Sequence, residues 1–424
     1  MAKLNAHSMI NTQTKRFGYY ELIIFVFLLF TSVLLLHERV VDSNGMTIYL
    51  MSYRLGFVSK ALVGTIFFLF TDYITANQIY IVSIIAYLIL IALLSILLGF
   101  MIRRSQPDMK HPVILLVILF VSSPLSVTYL LGMNLSVFDT YLIILTLVSL
   151  ILLKHPVLKW SVPLLMATAI SVHQGFLFSY LPALVIPLFY EAYESYHRKR
   201  SKGNIVLLLL CGFSSASLFI AFQFFQTPLH FPNSVKFAEY LSNYADFDIS
   251  VMVVDSLYFV PLKDYLYGYV LPLTASYALP FGLALLFFSL PLLIIFGAFW
   301  RNCLRATKGI FLRFIFIIGA LAPLIFPPVA FLLNDWDRYW AAAINSQYIL
   351  IFYFLYSDTP AAVDSIKKLG SFFERHSLLL LLIVVFSCSV KFSEAVTDLY
   401  SFIQNRAEVA KVLEDYVNNI GSGL

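Results

Sequence analysis

Long runs of nearly pure hydrocarbon side chains, separated by short polar or charged breaks, make up most of this chain. They fall at about 18–36, 78–101, 112–131, 140–153, 160–171, 176–190, 205–222, 269–299, 310–332, 341–356 and 378–390. A run of about 20 apolar residues crosses a bilayer as a helix, because in hydrocarbon the backbone must satisfy its own hydrogen bonds. None of the runs shows the short apolar–polar alternation of a membrane β-barrel. The expected fold is therefore all-α, a single polytopic transmembrane domain over residues 1–424 with about eleven helices. The first run ends in His-Glu-Arg without a small-residue cleavage site, which reads as a retained span. The apolar stretch Leu62 to Phe70 is too short to cross, so a surface helix is expected after the first span.

Composition agrees with the pattern. Hydrophobic residues make up 60% of the 424 positions and charged residues only 12%, with a mean hydropathy of +0.86, against about 25% charged in an average soluble chain. The three cysteines are scattered, which predicts neither a disulfide framework nor a metal cluster. Basic residues gather in alternate breaks, at Arg103, Arg104 and Lys110, at Lys154 and Lys159, at 198–202, at Arg301, Arg305 and Lys308, and at Lys367 and Lys368. The positive-inside rule puts those breaks and the N-terminus in the cytoplasm. The net charge of +5 is thereby explained by insertion, without a nucleic-acid partner. The loops 37–77 and 223–268 and the tail 391–424 then lie outside the cell membrane.

The groups with chemical potential fall on that outer face. Glu38 and Asp42 stand beside Arg54 and Lys60 in the first loop, where Gly56, Lys60 and Gly64 would share one face of a helix and leave the ammonium open to an anion. His173 and Gln174 occupy a tight turn, as interfacial hydrogen-bonding residues or as a base or phosphate ligand. Asp335, Asp337 and Arg338 are interleaved with Trp336, Tyr339 and Trp340, either as an aromatic belt or as a surface for a sugar ring. The 40 phenylalanines read mainly as lipid-facing bulk, and the spans as nearly free of ionisable residues in mid-membrane. No loop carries a phosphate-cradling glycine motif, so direct use of a nucleotide is not expected.

A first span running into an acidic outer loop with Glu38 and Asp42, a surface helix at about 56–70, and an eleven-span body together resemble the GT-C-type membrane glycosyltransferases. Bacterial surface-polysaccharide polymerases are similar in plan. The resemblance implies transfer of a sugar or oligosaccharide from a polyprenyl-(di)phosphate carrier to a glycan or lipid-linked acceptor outside the membrane. It implies Glu38 or Asp42 as base, with Arg54, Lys60 and Arg338 holding the leaving phosphate and Asp335 and Asp337 binding the acceptor or serving as an alternative base. The spacing Glu38-x-x-x-Asp42 differs from the compact acidic motifs of the group, so either carboxylate stands as the base. No cofactor is required, although the carboxylates and phosphate leave room for a divalent cation. The alternative is a transporter or flippase of a lipid-linked glycan, which should show broken helices, repeats and charge near the bilayer midplane.

Overall fold

The computed structural model describes residues 18–34, 43–132, 137–199, 201–258, 271–330 and 336–389, without the side chains of 132, 198–199, 256–258, 271–281, 325–330, 336–337 and 389. The described parts of the apolar runs are mainly helices, with a break at 123–126 inside the run 112–131. In chain order they are α1 (Tyr19–Leu34), α2 (Ser43–Tyr49), α3 (Leu62–Phe67), α4 (Ala76–Arg104), α5 (Pro107–Ser122), α6 (Val127–Gly132), α7 (Asp139–Leu153), α8 (Val162–Val172), α9 (Phe176–Ser179), α10 (Leu181–Lys199) and α11 (Gly203–Phe224). Then come α12 (Ser234–Ser242), α13 (Val251–Tyr258), α14 (Leu271–Ala306), α15 (Ile310–Ala330), α16 (Trp336–Tyr356), α17 (Pro360–Arg375) and α18 (Ser377–Ser389). Among the described residues four helical segments are long and apolar enough to cross a membrane, or five if α17 and α18, bent by 104°, count as one. The chain is thus a helical, membrane-embedded protein.

Local chemistry sets several boundaries. Thr75 Oγ1 accepts the Gln78 N–H at 3.2 Å while Gln78 Oε1 accepts the Thr75 N–H at 2.9 Å, a reciprocal cap that starts α4. Pro107 opens α5, where its missing N–H costs nothing. The 29 residues of α4 extend for about 43 Å at 1.5 Å per residue, more than the apolar thickness of a bilayer.

The outer-loop expectation changes most. Residues 56–70 do not form one helix. Tyr53–Leu55 make a 3₁₀ turn and Gly56–Phe57 form a short strand, β1. This pairs antiparallel with β2 (Thr227–Pro228), and α3 begins only at Leu62. Gly56 has φ +100°, and a Cβ there would meet the Thr227 carbonyl oxygen at 2.0 Å. A Cβ at Gly64 would meet the Met51 and Tyr49 carbonyl oxygens at 2.2 and 2.4 Å. These glycines admit backbone, not an anion. Lys60 lies in the turn between β1 and α3 at φ 60°, a left-handed conformation uncommon for a side-chain-bearing residue.

The described parts of the loops 37–77 and 223–268 are hydrogen-bonded to each other. Ser250 donates its backbone N–H to Thr47 Oγ1 at 2.9 Å, and its hydroxyl bonds Asn44 Oδ1 at 2.6 Å. Asp246 Oδ1 accepts the Ala76 N–H at 2.8 Å, extending the cap of α4, and Ile74 N–H donates to the Tyr244 carbonyl at 2.8 Å.

One further expectation is corrected within the bundle. Phenylalanines are not only lipid-facing: Phe120, Phe176, Phe222, Phe299, Phe316 and Phe354 are fully buried, where edge-to-face and tilted ring contacts such as Phe316 on Phe354 pack helix against helix. Buried charge does occur at the helix ends. Glu21 of α1, 1% exposed, faces Arg103 of α4, and Gly99 makes the room, since a Cβ there would meet Glu21 Cγ at 2.6 Å. A buried carboxylate needs such a partner.

Candidate functional site

The site is built where the N-termini of α7 and α16 meet the turn that follows α8. Helix α8 ends at Val172, and His173 continues in extended backbone at φ −159°. The ring turns back so that Nδ1 accepts the Gly175 N–H at 2.8 Å, which leaves the proton of the neutral imidazole on Nε2. Gly175 is required here, because a Cβ would meet His173 Nδ1 at 2.6 Å and the Tyr339 hydroxyl at 3.1 Å. His173 is 8% exposed. Burial, with the charges of Lys60 and Arg338, holds its pKa well below the ordinary 6.5, so at neutral pH it is an uncharged donor and acceptor.

Beside it, Arg338 Nε lies 2.6 Å from Asp139 Oδ2, both side chains largely buried. The N–H does not point along the short contact, so this is a charge contact, not an aligned hydrogen bond. Asp139 is the first residue of α7, where the positive end of the helix dipole also favours a carboxylate. Beneath lies Tyr180, between α9 and α10, with its hydroxyl directed toward Asn345 of α16. Neither Tyr180 Oη nor the Asn345 carboxamide makes a well-aligned hydrogen bond, and Asn345 is fully buried. Gln174 Oε1 accepts from Gln223 Nε2 at 2.8 Å while its own amide nitrogen is buried without a bond. Buried polar atoms left in this state cost about 1–3 kcal/mol each, and native chains retain them chiefly where a ligand or water completes the set.

Of the residues singled out from sequence, Lys60 and Arg338 lie within electrostatic reach of His173, and Gln174 follows it in the turn. Arg54 is engaged elsewhere: Nη1 contacts Asp72 at 3.1 Å, Nη2 donates to the Phe68 carbonyl at 2.8 Å, and the guanidinium lies over the Phe68 ring. It ties off the end of α3. Glu38, Asp42 and Asp335 lie outside the described residues; Asp337 is on α16, its side chain outside them. Tyr180 and Asn345 went unnoticed in the sequence, though Asn345-Ser346-Gln347 is a polar triplet within an apolar run and was a readable signal. Its neighbours serve structure: Ser346 Oγ donates to the Ser179 carbonyl at 2.8 Å, and Gln347 accepts from Trp300 Nε1 at 2.8 Å. Among the described residues, no three His, Cys, Asp or Glu side chains stand close enough to hold a metal.

No family model, no curated protein and no solved structure matches this chain.

Proposed function

We propose that the chain is a polytopic membrane glycosyltransferase of GT-C-like plan, its eleven apolar segments crossing the cell membrane with the N-terminus cytoplasmic and the C-terminus outside. It transfers a sugar or oligosaccharide from a polyprenyl-(di)phosphate carrier to a glycan or lipid-linked acceptor on the outer face, polymerisation being the repeated form of the same step. The observation that supports this reading is a buried neutral His173 within electrostatic reach of two cationic side chains, Lys60 and Arg338, beside amide and hydroxyl groups that lack well-aligned hydrogen bonds at one end of the bundle. Cations suit a phosphate; amides and hydroxyls suit a sugar.

In the proposed step Glu38 or Asp42 removes the acceptor hydroxyl proton. The acceptor oxygen bonds to the anomeric carbon, and the carbon–oxygen bond to the carrier phosphate breaks with its electron pair on the phosphate. Lys60 and Arg338 stabilise that developing charge, while His173 Nε2–H donates to a phosphate or sugar oxygen. Asp335 and Asp337 bind the acceptor, and a divalent cation between carboxylates and phosphate is compatible with the same chemistry. Arg54, engaged by Asp72, is left to support the loop. Purified protein given a polyprenyl-linked donor and acceptor tests the proposal: Glu38→Gln or Asp42→Asn should lower the rate by about 10²–10⁴, and full turnover by both would sink it.

A second reading has its own observation. The helical path is broken at His173 and again at Tyr180, beside the buried Asp139–Arg338 pair, and broken helices with buried charge are features of transporters. A flippase would move a lipid-linked glycan in vesicles and show no transfer step.

A further inference from the structure

At the other end of the bundle, well away from His173, lies a cavity of about 320 Å³ between α4, α5, α7 and α16. Its floor is buried and apolar, with Leu94, Leu98 and Phe120 among the deepest residues. Its mouth is formed by Ile96 and Ile151, 50% and 42% exposed on the outer faces of α4 and α7. Ile96 is exposed on α4, a helix long and apolar enough to cross a membrane, and Ile151 is exposed on the shorter apolar helix α7, so in a bilayer the crevice opens toward hydrocarbon. Water does not fill such a space, because it offers almost no polar partners.

The cavity does not end in hydrocarbon. Met101 and Tyr356 line it and also line a second cavity of about 370 Å³, where the polar Arg104, Ser105, Gln106 and Asp358 stand beside the apolar Met109, Leu355, Pro360 and Val363. Arg104 and Asp358 pair there, both half exposed, with the guanidinium over the Tyr356 ring at 5.3 Å. An apolar crevice that adjoins, across Met101 and Tyr356, a mixed chamber bearing one cation and one anion matches the layout of an amphiphile. The positive and negative groups lie side by side, which complements a head of opposite polarity order: a phosphate on Arg104 and an amine on Asp358.

We propose that this crevice is a specific site for one zwitterionic glycerophospholipid, a single acyl chain entering between Ile96 and Ile151 and the head group seated at Arg104 and Asp358. It rests on the chain being membrane-embedded and not on any transfer chemistry. The bound lipid fills the gap between α4, α7 and α16, the last two of which carry Asp139 and Arg338 at their far ends.

The test is native mass spectrometry of protein reconstituted with phosphatidylethanolamine and then delipidated in detergent. The wild-type chain should retain one lipid. Ile151→Trp, and independently Ile96→Trp, should lower retention about tenfold, the equivalent of losing roughly two buried methylenes of contact. Arg104→Gln should lower retention of phosphatidylethanolamine, and diacylglycerol should be retained poorly by every variant. Phe213→Trp, on an exposed face of α11, should behave as wild type and controls for altered surface. Correct folding of each variant is checked by monodisperse elution. Retention unchanged in both crevice variants, no lipid on the wild type, or diacylglycerol held as firmly as phosphatidylethanolamine overturns the proposal.

Discussion

Arg338 and Asp139 meet through their side chains at 2.6 Å, joining the N-terminus of α16 to that of α7 in a largely buried charge contact. The pair orders the end of the bundle on which His173 and Tyr180 depend, and the charge on each partner is tolerated there because the other is present. Asp139→Asn should therefore destabilise the protein by about 3–5 kcal/mol, since it leaves the arginine charge uncompensated. Glu239→Gln, which removes the partner of Lys236 on the exposed face of α12, should change stability by about 0–1 kcal/mol. Thermal unfolding in detergent separates the two; equal shifts would mean that the Asp139–Arg338 contact is not a buried pair.

His173 predicts an acid-side loss of stability. Its pKa is lowered in the folded protein, so between that value and the ordinary 6.5 the unfolded chain binds a proton that the folded chain refuses. The stability is complete above about pH 6.5 and falls as the pH drops from there through the folded value. His173→Gln should flatten this part of the melting-temperature profile between about pH 7.5 and 5. An unchanged slope in the variant would place the proton uptake on another group.

Glycine position decides cost. Gly56→Ala should lower stability by about 1–3 kcal/mol, because the residue adopts φ +100° against the Thr227 carbonyl. Gly212→Ala, with nothing within 4 Å of the added methyl on α11, should raise stability by about 0.5–1 kcal/mol. Melting temperatures of the two proteins should move in opposite directions.

The orientation proposed for the bundle is open to direct labelling. In a background without Cys211, Cys303 and Cys388, Glu239→Cys should react with an impermeant thiol reagent on intact cells and Lys308→Cys should not. Labelling at both positions, or at Lys308→Cys alone, would invert or abolish the proposed outer site.

The transfer reading separates the two loop cations. Lys60→Ala should reduce turnover with a polyprenyl-linked donor by about tenfold or more, the loss expected for one charged contact to the leaving group. Arg54→Ala should leave turnover near normal, since its contacts go to Asp72 and the Phe68 carbonyl. A larger loss for Arg54→Ala than for Lys60→Ala would return the phosphate contact to Arg54.

What the sequence determined by itself is where the long apolar helices lie and that they suit a membrane. Transfer of an apolar run into hydrocarbon and satisfaction of its backbone are properties of about 20 consecutive residues, readable in a window. The start of α4 was likewise written locally, in Thr75 and Gln78. Residues 56–70 misled because the deciding contacts are distant: β1 exists through Thr227 and Pro228, and that pairing overrides a helical spacing of Gly56, Lys60 and Gly64. The same holds for the site. His173, Lys60 and Arg338 were recognisable as candidates, but the electrostatic reach of the two cations to His173, and the recruitment of Asp139, Tyr180 and Asn345, depended on which helix ends became neighbours. Local windows report the free energy of placing a residue in lipid or water; which buried polar groups share a cavity is decided by the packing of the whole bundle at once.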